Sequence, residues 1–210
     1  MATELRLLLA TRSVDKAGEI RRILRGVPDL EIVDLEAAGF PPSAEEDELE
    51  PFDTFEANAR SKAEYFHRLT GLPTVADDSG LEVDALNGAP GVRSKRFSPE
   101  QGLDGEALDE ANNRYLMERL KHVAPADRTG RYVCAAVLVR SEGAPIVVRG
   151  EAEGRILDAA QGSGGFGYDP YFLDPATGVS FAELPMDEKN LRSHRGGAFR
   201  ALAERLQERD

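Results

Sequence analysis

The stretch TVADDSGLEVDAL, Thr74 to Leu86, sets two adjacent carboxylates, Asp77 and Asp78, next to the hydroxyl of Ser79 and to Gly80. Val75 and Ala76 lead into the pair, and an apolar alternation resumes at Leu81, Val83 and Ala85. This pattern predicts two aspartates at the end of a buried strand. Successive side chains on a strand point to opposite faces, so one expected division has Asp78 facing a cleft and Asp77 turned toward neighbouring backbone or polar groups. A cleft carboxylate can hold a hard cation such as Mg2+, and it can orient or deprotonate a water. Ser79 can add a hydroxyl to a ligand, and Gly80 lets a bulky group approach. The competing reading is a tight turn in which either aspartate bonds its own backbone.

Three further polar loops follow apolar elements. TRSVDK, Thr11 to Lys16, lies between an expected strand and a helix start. Free amides, the helix dipole, hydroxyls and a lysine there can cradle phosphate. The Walker pattern is absent, and taken alone the loop is better explained by simple capping by Ser13 or Asp15. GSGGFG, Gly162 to Gly167, matches G-x-G-x-x-G literally. A dinucleotide site requires a strand before it and a helix opening within it, whereas here YDP follows at once and the loop sits late in the chain, after a meander. Phe166 could instead stack on a base while Asp169 or backbone groups read its edge, or the aromatics could plug the core. EKNLRSHRGG holds Lys189, Arg192, His194 and Arg195. Such a cluster in an acidic protein suits an anion or a carbonyl-rich ligand, or is a set of surface charges with a capping or core histidine.

The elements that must position these loops read as follows. LRLLLA, Leu5 to Ala10, is a buried strand, and the periodicity predicts a helix from about Asp15 to Arg25 with Ala17, Ile20, Ile23 and Leu24 on one face. LEIVDL is a second strand. Asp53 and Glu56 resemble a capping box for a helix carrying Phe55, Ala59, Phe66 and Leu69, ended by Gly71; Asn58 and Lys62 share another of its faces. A helix follows from about Leu108 to His122, then two neighbouring strands in GRYVCAAVLVR and APIVVRGEAEGRIL, and a last helix burying Phe199, Leu202 and Leu206. The strand–helix–strand opening predicts an α/β fold.

The formal net charge of the 210-residue chain is -12, which disfavours a nucleic acid polymer as partner. A basic pocket for a small polyanion remains compatible with it. No apolar run approaches the roughly 20 residues that span a bilayer, and the opening MATELRLLLATRS lacks a basic leader and a small-residue cleavage site. The single cysteine, Cys134, reads as a small core residue and excludes an internal disulfide. A cytoplasmic protein without membrane contact is the expectation. Three scattered histidines do not make a zinc site.

ATRSVDK, TFEANARSKA, ADDSGLEVDAL, GAPGVRSKRF, GGFGYDP and EKNLRSHRG occur in this order, and on these six motifs the chain resembles the inosine triphosphate pyrophosphatase family, also called dITP/XTP pyrophosphatases. The resemblance implies a single domain over residues 1–210, with an elongated central mixed β-sheet, flanking helices and two lobes around a nucleotide-binding cleft. It implies a homodimer and Mg2+-dependent hydrolysis of ITP, dITP or XTP to the monophosphate and pyrophosphate, which cleanses the nucleotide pool. By the same resemblance, Thr11, Arg12, Ser13, Val14, Asp15 and Lys16 form the triphosphate loop. Lys62 lies near the phosphates, and Asp78 is general base and metal ligand. Ser79 and Lys95 contact substrate. Phe166, Gly167, Tyr168 and Asp169 bind the base, and Lys189, His194 and Arg195 complete the substrate contacts.

The chain departs from the family pattern at Ser13, where asparagine is usual, and in a longer acidic loop, Ser43 to Asp53. The second metal carboxylate is expected in that loop at Glu46, with Glu45 and Glu50 as competitors. Two rival functions are a related pyrophosphatase selective for modified pyrimidines and a nucleotide sensor without catalysis.

Overall fold

A computed structural model of the chain describes residues 5–208. Six strands, β1 (Leu5–Leu9), β2 (Leu30–Asp34), β3 (Thr74–Val83), β4 (Thr129–Val139), β5 (Ile146–Ile156) and β6 (Phe172–Leu173), form one sheet in the order β2-β1-β3-β4-β5-β6. Five helices accompany them: α1 (Val14–Leu24), α2 (Phe55–Thr70), α3 (Gly105–Leu120), α4 (Met186–Arg192) and α5 (His194–Gln207). β1 pairs in parallel with β2 and β3, whereas β5 and β6 are antiparallel. The sheet is therefore mixed and the class is α/β, as expected.

The chain divides into two compact units. The first comprises Met1–Asp78, Cys134–Gly150 and Arg195–Asp210. Leu7, Leu8 and Leu9 of β1 are buried whichever face they point to, which is why LRLLL reads as continuous apolar sequence. Leu7 and Leu9 pack with Ile20 and Leu24 of α1 and Phe199, Leu202 and Leu206 of α5. Leu8, one residue out of phase, packs with Ala59, Ala63 and Phe66 of α2. The second unit comprises Ser79–Val133 and Glu151–His194, and its core joins Leu81 and Val83 to Leu116, Tyr132, Ile156, Tyr168, Phe172 and Phe181.

Three sequence expectations are corrected. Asp77 and Asp78 do not end a strand: β3 runs through them for ten residues. The cap of α2 is Thr54, whose hydroxyl accepts from the Ala57 amide at 3.2 Å, and not Asp53. Helix α3 starts at Gly105, ahead of the expected Leu108, and its buried face includes Asn112 and Asn113, which dilutes the apolar period. Gly71 does end α2, with φ of 68° in the left-handed region that favours glycine.

Replacing Thr54 with alanine removes the acceptor of a helix-end amide and is expected to cost about 1 kcal/mol. Asp53→Ala should cost much less. Urea unfolding of the two variants measures the difference.

Candidate active site

The first cluster lies in the first unit and grows out of the alternation in β3. Asp77 and Asp78 are consecutive, so the strand sends them to different surroundings. Asp77 is fully buried. Lys16 Nζ of α1 donates to its Oδ2 at 3.1 Å, and Arg195 Nε of α5 lies 3.8 Å from the same oxygen. Arg195, itself buried, also donates from Nη1 to Glu19 on α1. Burial alone would raise the Asp77 carboxyl, but the charges of Lys16, Arg195 and Lys62 outweigh it and hold the group well below the usual carboxylate range. Burial works against the Arg195 charge as well, and Asp77 and Glu19 reverse that effect and hold its affinity for the proton above the ordinary value.

Asp78 has the opposite environment. Asn58 of α2 donates from Nδ2 to Asp78 Oδ2 at 2.9 Å. Asn58 is itself fixed, because its amide also closes both backbone groups of Phe52, at 2.8 and 3.1 Å. Burial first, and the negative charge of Glu50 second, push the Asp78 carboxyl up to about 6, with Lys16, Asn58 and Lys62 opposing. A carboxylate poised near neutrality is what a general base requires. Glu50 pairs with Lys62, one turn beyond Asn58 on α2. For Glu50, burial is again the largest influence and raises the carboxyl, yet Lys62 and Lys16 bring it below its ordinary value.

The triphosphate loop predicted from sequence caps a helix and carries charge at once. Ser13 is the N-cap of α1, its Oγ accepting from the Lys16 amide at 3.3 Å, and its own amide donates to Thr11 Oγ1 at 3.2 Å. Val14 and Asp15 are exposed on the first turn. Arg12 forms two bonds to Glu46, at 2.9 and 2.7 Å, and Glu46 also caps the Ser43 amide at 3.1 Å. Glu45 accepts from the Tyr65 hydroxyl at 2.8 Å. Of the three glutamates weighed for the metal, Glu50 is the one whose charge acts on Asp78. Among the described residues, no group of three or more His, Cys, Asp or Glu side chains is arranged to hold a metal ion. Cys134, buried in this unit, has its thiol pushed up to about 12, first by burial and then by Asp77, so it is an inert core residue as expected.

The second cluster lies in the second unit and is built on the glycine-rich loop. Asp169 is buried; it accepts from Lys189 Nζ of α4 at 2.6 Å, from the Tyr132 hydroxyl at 3.2 Å and from the Phe166 amide at 2.9 Å. Lys189 Nζ also lies 4.8 Å from the centre of the half-buried Phe166 ring, a cation–π contact. The His194 ring stacks on Tyr132 at 4.6 Å and 11°. Gly165, with φ of 70°, must be glycine, since a Cβ there would stand 2.2 Å from Asp169 Oδ2. Tyr168 plugs the core and donates from its hydroxyl to the Ser94 carbonyl at 2.7 Å. Ser79 is half-buried in β3, and Lys95 is exposed.

The predicted residues thus fall into two groups. Lys16, Lys62, Asp78 and Arg195 gather in the first unit, and Phe166, Gly167, Tyr168, Asp169, Lys189 and His194 in the second. Arg195 is buried and pairs with Glu19 and Asp77. Sequence reasoning passed over Glu19 and Tyr132, and noted Asn58 only for the helix face it shares with Lys62. Glu19 had a legible signal, because it stands next to Ile20 in a helix whose inner face should be apolar. Asn58 had one too, since it shares a face with Lys62 one turn away.

The model of the Ham1 family matches residues 7–205. The chain belongs to the Ham1 family. Two curated relatives are each named dITP/XTP pyrophosphatase. That of Geobacter sulfurreducens is 45% identical over 201 residues, 96% of either chain. That of Thioalkalivibrio sulfidiphilus is 44% identical over 98% of this chain and 100% of its own. Among solved Ham1 structures, a HAM1 protein from Coxiella burnetii superposes with a TM-score of 0.84 at 34% identity, covering 98% of this chain and 100% of that one. A nucleoside-triphosphatase / dITP/XTP pyrophosphatase from Mycobacterium abscessus gives 0.73 at 40% identity, over 96% and 100%. The Ham1 likeness spans both clusters.

The two aspartates should respond oppositely to the same substitution. Asp77→Asn leaves buried Arg195 short of a countercharge and is expected to cost about 3–5 kcal/mol at pH 7. Because the Asp77 carboxyl is depressed on folding, that loss should shrink as pH falls below its ordinary value of 3.8. Asp78→Asn removes a carboxyl raised on folding, so its stability relative to the parent should rise as pH climbs from 3.8 to about 6. Denaturant melts beside the parent, at pH 2 and pH 4 for Asp77→Asn and at pH 4 and pH 7 for Asp78→Asn, report the two signs.

Proposed function

We propose that this chain hydrolyses deaminated purine nucleoside triphosphates, ITP, dITP and XTP, to the monophosphate and pyrophosphate. The observation that carries the reading is Asp78, a carboxylate held by Asn58 and raised to about 6 beside two lysines, in a chain matched along its length by dITP/XTP pyrophosphatases. Phosphoryl transfer is governed by positioning and charge neutralisation, not by covalent chemistry of the protein. Lys16 and Lys62 supply positive charge for a polyanion. Asp78, ionised at pH 7, takes the proton of the attacking water. Phe166 offers its ring to a purine, and Lys189 keeps that ring in place through the cation–π contact and Asp169.

Mg2+ belongs to this proposal. It is commonly held by one or two carboxylates with the remaining positions on substrate phosphates and water. Glu50 and Asp78 suit it, because their mutual repulsion is relieved by a cation. When bound, Mg2+ would neutralise phosphate charge. We favour Glu50 over Glu46 as the second carboxylate, because it is the Glu50 charge that acts on Asp78. A homodimer and a cytoplasmic location complete the proposal. Among the described residues, no helix is long and apolar enough to cross a membrane.

With Mg2+, pyrophosphate and not orthophosphate is expected from ITP and XTP, with little from GTP or ATP. Asp78→Asn should lose about a thousandfold or more in kcat, the loss of a general base together with a metal carboxylate. Orthophosphate, or equal use of all four nucleotides, contradicts the reading. The parent's kcat/KM should rise with pH through about 6 as Asp78 ionises. Glu50→Gln removes one cause of the raised value, so it should move that acid limb to lower pH and increase the Mg2+ needed for half-maximal rate. Glu46→Gln should leave both where they are, and pH–rate and Mg2+ titrations separate the two glutamates.

A further inference from the structure

Two side chains of α3 close on the backbone of the glycine-rich loop. Asp109 Oδ2 accepts from the Gly167 amide at 2.7 Å, and Asn113 Nδ2 donates to the Gly167 carbonyl at 2.9 Å. The two residues are four apart and therefore share one face of the helix. Together they take up both polar groups of a single peptide position that lies at φ of 64°, where the backbone of other residues is strained. The neighbours are pinned separately, Phe166 through its amide to Asp169 and Tyr168 through its hydroxyl to Ser94. Three consecutive residues thus have three independent anchors.

Asn113 is a costly choice if stability alone is served. It is 8% exposed, and its Oδ1 has no hydrogen-bond partner among the described residues. A buried, unpaired acceptor costs stability, so the amide is best understood by what its other end holds.

We propose that Asp109 and Asn113 are positioning residues for base discrimination: by fixing the Gly167 peptide they fix the place of the Phe166 ring and of the polar edge beside it. This rests on the reading of the chain as a purine nucleoside triphosphate pyrophosphatase. A site rejects a near-isostere only when its polar groups cannot follow the wrong ligand. A loop released from α3 would adapt to guanine and hypoxanthine alike. Asp78 and its partners belong to a different set of residues, so the bond-breaking step should survive.

The test uses the full chain with Mg2+ and measures pyrophosphate from ITP and GTP for the parent, Asp109→Ala, Asn113→Leu and Asp109→Asn. The alanine and leucine variants should raise KM for ITP and cut the ITP-to-GTP ratio of kcat/KM by about tenfold or more, with kcat for ITP changed by about twofold or less. Asp109→Asn keeps an acceptor oxygen and should restore most of the ratio. Melting temperatures, read alongside, show whether each variant is folded. A lowered melting temperature with an unchanged ratio, or a loss confined to kcat, overturns the proposal. So does a failure of Asp109→Asn to rescue. A parent that releases no pyrophosphate from ITP overturns the functional reading and this proposal with it, whereas an active parent with indifferent variants overturns the proposal alone.

Discussion

The ion pairs around Asp77 are the constraint on which the first unit depends. A fully buried carboxylate in the middle of a strand is tolerable only if it is paired. Here the partners come from two helices that are far apart in sequence, Lys16 from α1 and Arg195 from α5. Glu19 then balances the second charge of the set. Asp78, one residue on, is held by Asn58 and lies in the field of Glu50. Two chemically identical neighbours are thereby shifted in opposite directions, one depressed by the cations around it and one raised by burial and the Glu50 charge. Pairs of titratable groups driven apart in this way are a frequent mark of acid–base function.

The second unit solves a different problem, that of holding a glycine-rich loop still. Asp169 collects Lys189, Tyr132 and the Phe166 amide, and it needs Gly165 to approach so closely. The literal G-x-G-x-x-G spacing reflects this local packing and turn geometry, with no helix opening inside it. Lys189, which looks in sequence like a surface cation, is 3% exposed. Its charge meets the Asp169 carboxylate and the Phe166 ring.

Much of this was legible in the residues. Apolar runs and periods placed β1, α1, α2 and α5, because those elements bury continuous or evenly spaced hydrophobic side chains. The expected division between Asp77 and Asp78 followed from the pleat. Elements whose buried faces carry amides were less visible: α3 was placed late because Asn112 and Asn113 interrupt its period. Ion-pair partners were the least visible. Nothing local distinguishes Glu50 from Glu46 in a run of acids; only the fold brings one to Lys62 and the other to Arg12. The same holds for Arg195, whose partner lies 176 residues away.

The central claim is that Asp78, and not Asp77, is the carboxylate that changes charge near neutrality. Carbon-13 NMR of aspartate carboxyls in the metal-free protein, titrated from pH 4 to pH 8, measures it directly. The account predicts one aspartate resonance with a midpoint near 6 that vanishes in Asp78→Asn and persists in Asp77→Asn. A resonance with that midpoint that vanishes in Asp77→Asn, or no aspartate titrating above pH 5, would contradict it.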